Sequence, residues 1–282
     1  AMNVHMYRHW TVQENIRRLK DRGVEFIDPV EGLLACGYEG QGKLADPADI
    51  VEKIQSLLVK ARDWSGRTVL VTAGPTREPL DPVRFFSNRS SGKMGYAIAE
   101  AAQRRGARVL LITGPTHLRP PAGVEVTAVE TAEQMYEAVM SRMEEVDVII
   151  KAAAVADYTA VQVAEQKIKK SSDQLTVQLR RTPDILAEVG RRRRPGQCVV
   201  GFAAETEQVD RYAQDKLVRK GADFIVANDV SRSDIGFDAD NNRVSVFGKD
   251  GFVETWPLMS KRQVADKLLD LVLHQFFKKG QE

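Results

Sequence analysis

Short apolar runs and amphipathic stretches alternate along the chain from residue 67 onward. Strand-length runs rich in β-branched residues predict strands over Arg67–Thr72, Arg108–Thr113, Val124–Val129, Val146–Lys151, Cys198–Ala203 and Ala222–Ala227. Between these runs, helical spacing and capping residues predict helices over Tyr96–Arg105, Thr131 to about Met143, Thr182-Pro183-Asp184 to about Gly190, and Val209–Lys220. Repeated strand–helix units predict an α/β fold. The expected architecture is a Rossmann-like, doubly wound and mostly parallel sheet, which binds ligands at the carboxyl ends of its strands.

Three further segments add to this sheet. Arg243–Phe247 and Phe252–Trp256 flank a glycine-bounded turn and predict an added hairpin, and a last helix is expected from Ser260 to about Phe277. Leu175–Arg180 alternates apolar and polar residues, which predicts an extra strand outside the main sheet. That strand suits a dimerisation arm and an internal hairpin equally well.

The first 62 residues have a different pattern. A helix is expected over Val12–Arg22, then a turn-rich stretch over Pro29–Pro47, then a second helix to about Arg62. This is too little material for an independent hydrophobic core. We therefore divide the chain into a tail, residues 1–62, and a main domain, residues 63–282.

Composition narrows the class of protein. The 282 residues are 43% hydrophobic and 28% charged, which is ordinary for a globular protein. A net charge of +2 favours neither nucleic acid nor a membrane as a partner. Cys36 and Cys198 lie far apart and make no disulfide framework, which indicates a reducing compartment. With apolar runs too short to span a bilayer and no leader segment, we expect a cytoplasmic enzyme.

A turn rich in small and polar residues follows the first strand of the main domain and opens a helix. Its residues Asn88, Arg89, Ser90, Ser91 and Gly92 precede Lys93. Backbone N–H groups and the helix dipole attract phosphate at such a place. A simple helix cap explains any single serine, but it does not explain the cluster. Gly74 follows the first strand and is a candidate nucleotide-binding residue, and the long connection from Glu78 to Ser91 also indicates function. We expect an anionic ligand here.

A second block follows a later strand. Small residues over Ala152–Ala156 let a flat ligand approach the backbone, although helix packing also explains them. Asp157 is placed to hold Mg²⁺ beside phosphate oxygens. Lys167, Lys169 and Lys170 would be a solvated face on their own, but beside this site they are placed to neutralise a triphosphate. Phe202, a core residue or a stacking platform for a nucleobase, ends the next strand.

These blocks resemble phosphopantothenoylcysteine synthetase from about Ser65 to Leu273. The similar motifs are AGPTREPLDPVRFFSNRSSGKMG, IKAAAVADY, KIKK, GFAAET and ANDV. The resemblance implies coenzyme A biosynthesis, in which 4′-phosphopantothenate and L-cysteine are joined. In the bacterial form, the carboxylate of 4′-phosphopantothenate reacts with CTP in the presence of Mg²⁺ to give an acyl-cytidylate and pyrophosphate. The amine of cysteine then displaces CMP.

The resemblance also assigns residues. Asn88 would hold the phosphopantothenate or its acyl-cytidylate, while Ala154 and Asp157 would line the nucleotide site. Phe202 would contact the base, and Lys167 would meet the triphosphate from a loop that closes over the reactants. Members of the family act as homodimers, in which the partner contributes to the pantothenate site.

The tail has a resemblance of its own. Met2-Asn3-Val4-His5-Met6-Tyr7 resembles the P-x-M-N-x-x-M-W motif of phosphopantothenoylcysteine decarboxylase, and residues 32–43 resemble that enzyme's substrate flap. This implies that Asn3 binds substrate and that Cys36 donates a proton in an intact bifunctional enzyme. The motif's proline is missing, Tyr7 replaces its tryptophan, and the FMN-binding body with its histidine is absent. We interpret the tail as a decarboxylase remnant and expect no decarboxylation from this chain alone.

Two other classes of protein compete with the synthetase. A nicotinamide-dependent reductase needs G-x-G-x-x-G after the first strand and an acidic residue after the second, and neither is evident. Tyr158 also lacks a lysine at the four-residue spacing of short-chain reductases. A non-catalytic scaffold would instead use the tail to bind a flavoprotein.

Overall fold

The computed structural model of the chain divides into two compact units, Ala1–Ala61 and Arg62–Glu282. It describes residues 1–22, 24–34, 37–58, 62–169, 174–205, 209–229 and 239–278. Across these ranges, no helix combines the length and the apolar character that crossing a membrane requires.

The first unit contains helices and a hairpin. Its elements are α1 (Val4–Arg8), α2 (Trp10–Asp21), β1 (Val30–Leu33), β2 (Glu39–Lys43) and α3 (Pro47–Leu58). The turn-rich stretch expected over Pro29–Pro47 contains a hairpin that was not predicted, because β1 and β2 pair there in antiparallel fashion. Their glycines disguise the strands, since glycine is depleted in strands generally. The helix expected over Val12–Arg22 begins earlier, at Trp10, and α1 precedes it.

The second unit is built on one central sheet. Its strands are β3 (Thr68–Ala73), β6 (Arg108–Thr113), β7 (Glu125–Ala128), β8 (Val148–Lys151), β11 (Cys198–Glu205), β12 (Phe224–Asp229), β13 (Asn241–Gly248) and β14 (Val253–Ser260). They lie in the order β14-β13-β12-β11-β8-β3-β6-β7. From β12 to β7 all neighbours are parallel, whereas β13 and β14 form an antiparallel hairpin at one edge. The chain moves outward from β3 in one direction, then returns to β8 and proceeds in the other.

Helices cover both faces of this sheet. They are α4 (Lys93–Arg104), α5 (Ala132–Arg142), α6 (Ile185–Arg192), α7 (Val209–Lys220) and α8 (Lys261–Leu271), which continues as a π-helical segment over Val272–Lys278. One apolar cluster packs α4 and α8 against one face, and a second packs α5, α6 and α7 against the other. The predicted α/β, Rossmann-like, doubly wound fold with an added hairpin is confirmed.

Two short ribbons lie outside the central sheet. β4 (Arg77–Pro79) pairs with β5 (Phe85–Ser87) inside the long connection after β3, where no strand was expected. β9 (Tyr158–Ala160) pairs with β10 (Leu179–Arg181). The extra strand expected over Leu175–Arg180 is thus shorter and lies later, and its pairing is the internal hairpin.

Two helix starts differ from the prediction. Asp184, not Thr182, caps α6, because its carboxylate accepts from the N–H of Ala187 at 3.1 Å. Thr182 is engaged elsewhere, since its hydroxyl donates to the carbonyl of Ala156 at 2.6 Å. Helix α4 begins at Lys93, three residues before the predicted start, because Gly92 turns the chain directly into the helix.

Candidate functional site

A cavity of about 510 Å³ opens at the carboxyl ends of β3 and β8. This is the point where the strand order reverses, and open α/β sheets bind ligands at such a switch point. The segments that line the cavity are the turn after β5, the first turn of α4, the end of β8 with the loop behind it, and single residues from the far strands. They are residues 88–95, 151–155, Asp157, Phe202, Ala203, Lys216, Asn228, Asn242 and Lys261.

The amino terminus of α4 forms one wall. Gly92 has φ +78°, and a Cβ there would lie 2.8 Å from Cγ2 of Thr116, so a side chain would be strained and crowded. A Cβ on Gly95 would lie 2.6 Å from Cβ of Ala73, so this glycine lets α4 pack directly on β3. Within the part of the chain that the structure describes, no side chain caps α4. Its first-turn N–H groups and the positive end of its dipole therefore favour an anion in the cavity.

The loop after β8 forms the opposite wall and is joined to the turn after β3. The N–H of Ala154 donates to the carbonyl of Gly74 at 2.9 Å, and the N–H of Ala156 donates to the hydroxyl of Thr76 at 3.0 Å. Gly74 therefore supports the site from behind and does not line the cavity. The loop holds its small residues close to the cavity, which leaves room for a flat ligand.

Asn88 connects the two walls. Its Nδ2 donates to the carbonyl of Val155 at 3.0 Å, so the polar turn and the small-residue loop are linked by a side chain. This bond directs the Asn88 amide into the cavity, where its oxygen remains an acceptor. The two motifs that the sequence predicted to cooperate lie together.

Positive charge dominates the lining. The cations are Arg89, Lys93, Lys151, Lys216 and Lys261, and Asp157 is the carboxylate among the lining residues that the structure describes. An excess of cations in a concave site raises the local concentration of polyanions. The arrangement fits a ligand with several phosphate charges and suits chemistry in which negative charge builds on a leaving phosphate.

Lys151 is a site residue that sequence reasoning missed. It is the last residue of β8, and it was interpreted only as the end of a strand. Burial, and then the positive charge of Lys216, lower the pKa of Lys151 to about 8, while the Asp157 and Asp184 carboxylates oppose the change. A lysine that ends an otherwise apolar parallel strand is the signal that could have identified it, because such a strand ends at the ligand edge.

Two amides were also missed. Asn228 lies near the end of β12, and Asn242 lies near the start of β13; both line the cavity. Oδ1 of Asn228 is buried and finds no hydrogen-bond partner among the described residues, and Asn242 is 2% exposed. Buried amides normally have partners. Asn228 therefore offers an unused hydrogen-bond acceptor to a ligand.

Other predicted site residues do not line the cavity. Lys167 and Lys169 are exposed on the loop before β10. Asn3 lies in the first unit, where its side chain caps α1 by accepting from the N–H of His5 at 2.8 Å. Cys36 and Lys170 lie outside the described residues.

The Lys167 loop is anchored to the connection between β4 and β5 by a buried carboxylate. Asp81 accepts from Arg84 through Nε and Nη2 at 2.9 and 2.6 Å, and from the N–H of Ile168 at 3.1 Å. Burial alone would raise the pKa of Asp81, but these bonds outweigh it and hold the pKa well below its usual range. Lys167 thus projects from a loop whose next residue is fixed.

Comparison with known families assigns both parts of the chain. Residues 64–276 match the family described as DNA/pantothenate metabolism flavoprotein C-terminal domain. Residues 1–59 match the family described as Flavoprotein.

Comparison with individual proteins agrees. The coenzyme A biosynthesis bifunctional protein CoaBC of Bacillus subtilis (strain 168) is 49% identical over 272 residues, covering 95% of this chain and 67% of that protein. A crystal structure of the C-terminal domain of CoaBC superposes with a TM-score of 0.66 at 44% identity, covering 77% of this chain and all of that one. A mutant of Cab2 in complex with phosphopantothenate-cysteine has a TM-score of 0.63 at 17% identity, covering 83% of this chain and 94% of that one, which shows a shared fold.

Proposed function

This chain belongs to the family of bifunctional coenzyme A biosynthesis proteins, through the DNA/pantothenate metabolism flavoprotein C-terminal domain, and on that premise we propose its reaction in detail. It is a phosphopantothenate–cysteine ligase that joins 4′-phosphopantothenate to L-cysteine, with CTP as the activating nucleotide. Membership confirms the predicted resemblance to the synthetase. The ligase is carried by residues 62–282, and we place it in the cytoplasm.

The observation that carries the proposal is the bond from Asn88 to the carbonyl of Val155. It sets a polar amide between an anion-binding helix terminus and a loop that ends in Asp157, inside a cavity rich in cations. An enzyme that activates a carboxylate with a nucleotide must hold two polyanions side by side. This cavity offers the charge and the size for that task.

The site promotes the reaction by holding the two substrates in position. A pantothenate carboxylate oxygen attacks the α-phosphorus of CTP, forming a C–O–P bond and releasing pyrophosphate. The amine of cysteine then attacks the acyl carbon, an N–H proton is lost, and CMP leaves as the amide forms. Asn88 orients the carboxylate, while α4 and the lysines neutralise charge that builds on pyrophosphate. The side chain of Phe202 packs against the nucleobase.

Asp157 is the residue that would hold Mg²⁺. The described residues contain no cluster of three or more potential metal ligands, so a metal site made by protein alone is not present among them. Mg²⁺ in nucleotide sites needs only one or two carboxylates, since phosphate oxygens and water complete its shell. One exposed carboxylate at the cavity edge fits that requirement. Mg²⁺ would supply further neutralisation of the triphosphate.

FMN does not fit the first unit by itself. Its described residues form a two-stranded antiparallel hairpin with helices, and they provide no parallel sheet with a phosphate turn. Asn3 serves there as a helix cap. We derive no decarboxylation step from this unit, and we assign Cys36 a role only within an intact bifunctional enzyme.

The ligase acts as a homodimer. Large apolar side chains are exposed on and beside the ribbons β4–β5 and β9–β10, and the two ribbons contact each other. They include Val83, Phe85, Phe86, Val161 and Leu179. A patch of this kind is typical of an interface.

Sedimentation tests this dimer. A double variant, Leu179→Asp with Val83→Asp, should sediment as a monomer, whereas Val218→Asp, a matched change on α7, should leave the dimer intact. A double variant that remains dimeric would contradict the assignment.

The transfer of a carboxylate oxygen from 4′-phosphopantothenate to CMP tests the proposed chemistry. With 4′-phosphopantothenate labelled with ¹⁸O in its carboxylate, one labelled oxygen should appear in CMP, and the product mass should be that of the cysteine amide. Unlabelled CMP would exclude an acyl-cytidylate, and labelled AMP with no reaction of CTP would change the nucleotide but keep the ligase.

A further inference from the structure

A buried carboxylate outside the cavity joins two segments of the second unit. Asp81 lies at the tip of the β4–β5 ribbon, and its side chain is fully buried. Its Oδ1 accepts from the N–H groups of Val83 and Arg84, each at 2.8 Å. Its Oδ2 accepts from the Arg84 guanidinium and from the N–H of Ile168 at 3.1 Å. The ribbon tip is thereby attached to the loop that carries Lys167.

Arg84 completes this attachment. Its Nη2 donates to the carbonyl of Ile168 at 2.6 Å, so one ion pair holds both backbone polar groups of Ile168. The N–H of Ala164 in the same loop donates to the carbonyl of Leu80 at 3.1 Å. The residue after Lys167 is therefore fixed, whereas the Lys167 side chain is exposed.

Forming the ribbon tip does not by itself require this arrangement. An aspartate, asparagine or serine at the start of a turn uses one side-chain oxygen, which here is Oδ1 of Asp81. Burying a charged pair is costly unless its hydrogen bonds are complete. The second carboxylate oxygen and the guanidinium are directed at Ile168, so the ion pair does more than shape the turn.

The same ribbon leads to the cavity at its other end. Strand β5 ends at Ser87, whose hydroxyl donates to the carbonyl of Thr76 at 2.8 Å. The next residue, Asn88, lines the cavity. The Lys167 loop and the Asn88 turn are thus attached to opposite ends of one short ribbon.

We propose that Asp81 is a positioning residue of the ligase, which with Arg84 fixes the backbone beside Lys167 and so sets the place from which the Lys167 amine meets the anionic reactants. The inference rests on the proposed ligase function and on the role that the family resemblance implies for Lys167. A cation on a fixed backbone loses less conformational entropy on meeting its ligand than a cation on a free loop. Asp81 therefore contributes to the reaction without contacting a substrate.

A double-mutant cycle in the full chain tests this role. Asp81→Asn keeps the shape of the side chain but places an NH₂ group against N–H donors. It should lower kcat/KM for CTP about tenfold, which is part of the loss expected for Lys167→Ala. The double variant should match Lys167→Ala within about twofold, because a misplaced lysine has nothing left to lose once the lysine is absent.

A second buried carboxylate provides the matched control. Asp223 is 5% exposed, pairs with Arg193 and Lys249, and accepts from the N–H of Val199 at 2.8 Å. Asp223→Asn disrupts a similar network that holds no residue of the Lys167 loop. It should destabilise the fold, yet leave kcat/KM within about twofold under conditions where the chain stays folded.

Proteolysis gives a readout that does not depend on activity. Trypsin cleaves after lysine, and the bond between Lys167 and Ile168 lies next to the ion pair. Asp81→Asn should speed cleavage of the folded chain at this bond about fivefold or more, because the lost hydrogen bonds no longer oppose local opening. Asp223→Asn should leave this rate unchanged, and mass spectrometry of the fragments measures it.

The outcomes separate this inference from the proposed function. A wild-type chain that ligates nothing would overturn both. If ligation is unchanged in Asp81→Asn or in Lys167→Ala, or if the two losses multiply in the double variant, the positioning role is wrong and the ligase stands. If circular dichroism shows that Asp81→Asn does not fold, Arg84→Lys replaces it in the cycle. This smaller change cannot make the forked bond, and its loss should likewise disappear in the Lys167→Ala background.

Discussion

The two units of this chain use similar residues to different ends. In the second unit, apolar clusters fill both faces of the central sheet, and Trp64 and Trp256 are fully buried. In the first unit, the described residues bury few hydrophobic side chains, namely Val4, Leu34 and Ala45. Helix α2 buries none, and Trp10 is 71% exposed. A match to a family model therefore does not imply a core or a working site.

One asparagine from each unit shows the same contrast. Asn88 of the second unit links two walls of a charged cavity, whereas Asn3 of the first unit caps a five-residue helix. The same side chain bridges two walls of a cavity in one place and caps a short helix in the other. What differs is whether surrounding elements converge on it.

The largest expected effect is on the free energy of unfolding, and it distinguishes the two units. Trp256→Ala should lower the free energy of unfolding of the second unit by about 3 to 5 kcal/mol, because it empties a fully buried site. Trp10→Ala should change stability by about 0.5 kcal/mol or less, since the ring is exposed. Urea unfolding followed by circular dichroism measures both. Equal losses would mean that the first unit depends on Trp10 as the second depends on Trp256.

The next effect separates the two asparagines. Asn88→Ala should lower ligase kcat/KM about a hundredfold or more, roughly 3 kcal/mol, because a preorganised group at the reacting carboxylate is removed. Asn3→Ala should leave it within about twofold. Initial rates of pyrophosphate release, with circular dichroism as the folding control, decide this. A similar loss in both variants would place Asn3 in the ligase site.

A smaller loss is expected for the exposed lysine of the anchored loop. Lys167→Ala should lower kcat/KM about tenfold to a hundredfold, the range for a hydrogen bond to a charged group. Lys20→Ala, an exposed lysine of the first unit that pairs with Asp28, should have no effect. Rates measured over a series of CTP concentrations test both variants. Unchanged rates for Lys167→Ala would remove it from the site.

The smallest effect concerns acid stability. The pKa of Asp81 is lowered in the folded protein, while that of an unfolded Asp is about 3.9. The carboxylate therefore stabilises the fold at neutral pH, and this contribution is lost as the pH falls from about 5 through its lowered pKa. Asp81→Asn should flatten the fall of unfolding free energy with acid. Urea titrations between pH 3 and 6 measure the slope, and an unchanged slope would show that other carboxylates control it.

Much of the second unit was predictable because each local signal agreed with the sheet. β3, β6 and β8 are apolar runs of strand length, and α7 was predicted with its observed limits. The hairpin of the first unit and the β4–β5 ribbon were missed, because their glycines and prolines read as turns and only the pairing makes them strands. Propensity yields to tertiary context in such segments.

The site was predictable in part for a similar reason. Polar turns at helix starts carry a local signature, so residues 88–92 were predicted, and Asp157 was predicted because it follows a buried strand; all of them line the cavity. Lys151, Asn228 and Asn242 come from three different strands, and their convergence depends on strand order. The charges that act on Lys151 include those of Lys216 and Asp184, which lie far along the chain.

We propose that the second unit alone carries a CTP-dependent ligase. Pyrophosphate release should be measured with 4′-phosphopantothenate and Mg²⁺, comparing CTP with ATP and the presence with the absence of cysteine. Both the full chain and residues 62–282 are assayed. We expect release with CTP, a product with the mass of the cysteine amide, and rates for the two proteins that agree within about twofold. Release with ATP alone, or activity that requires residues 1–61, would contradict it.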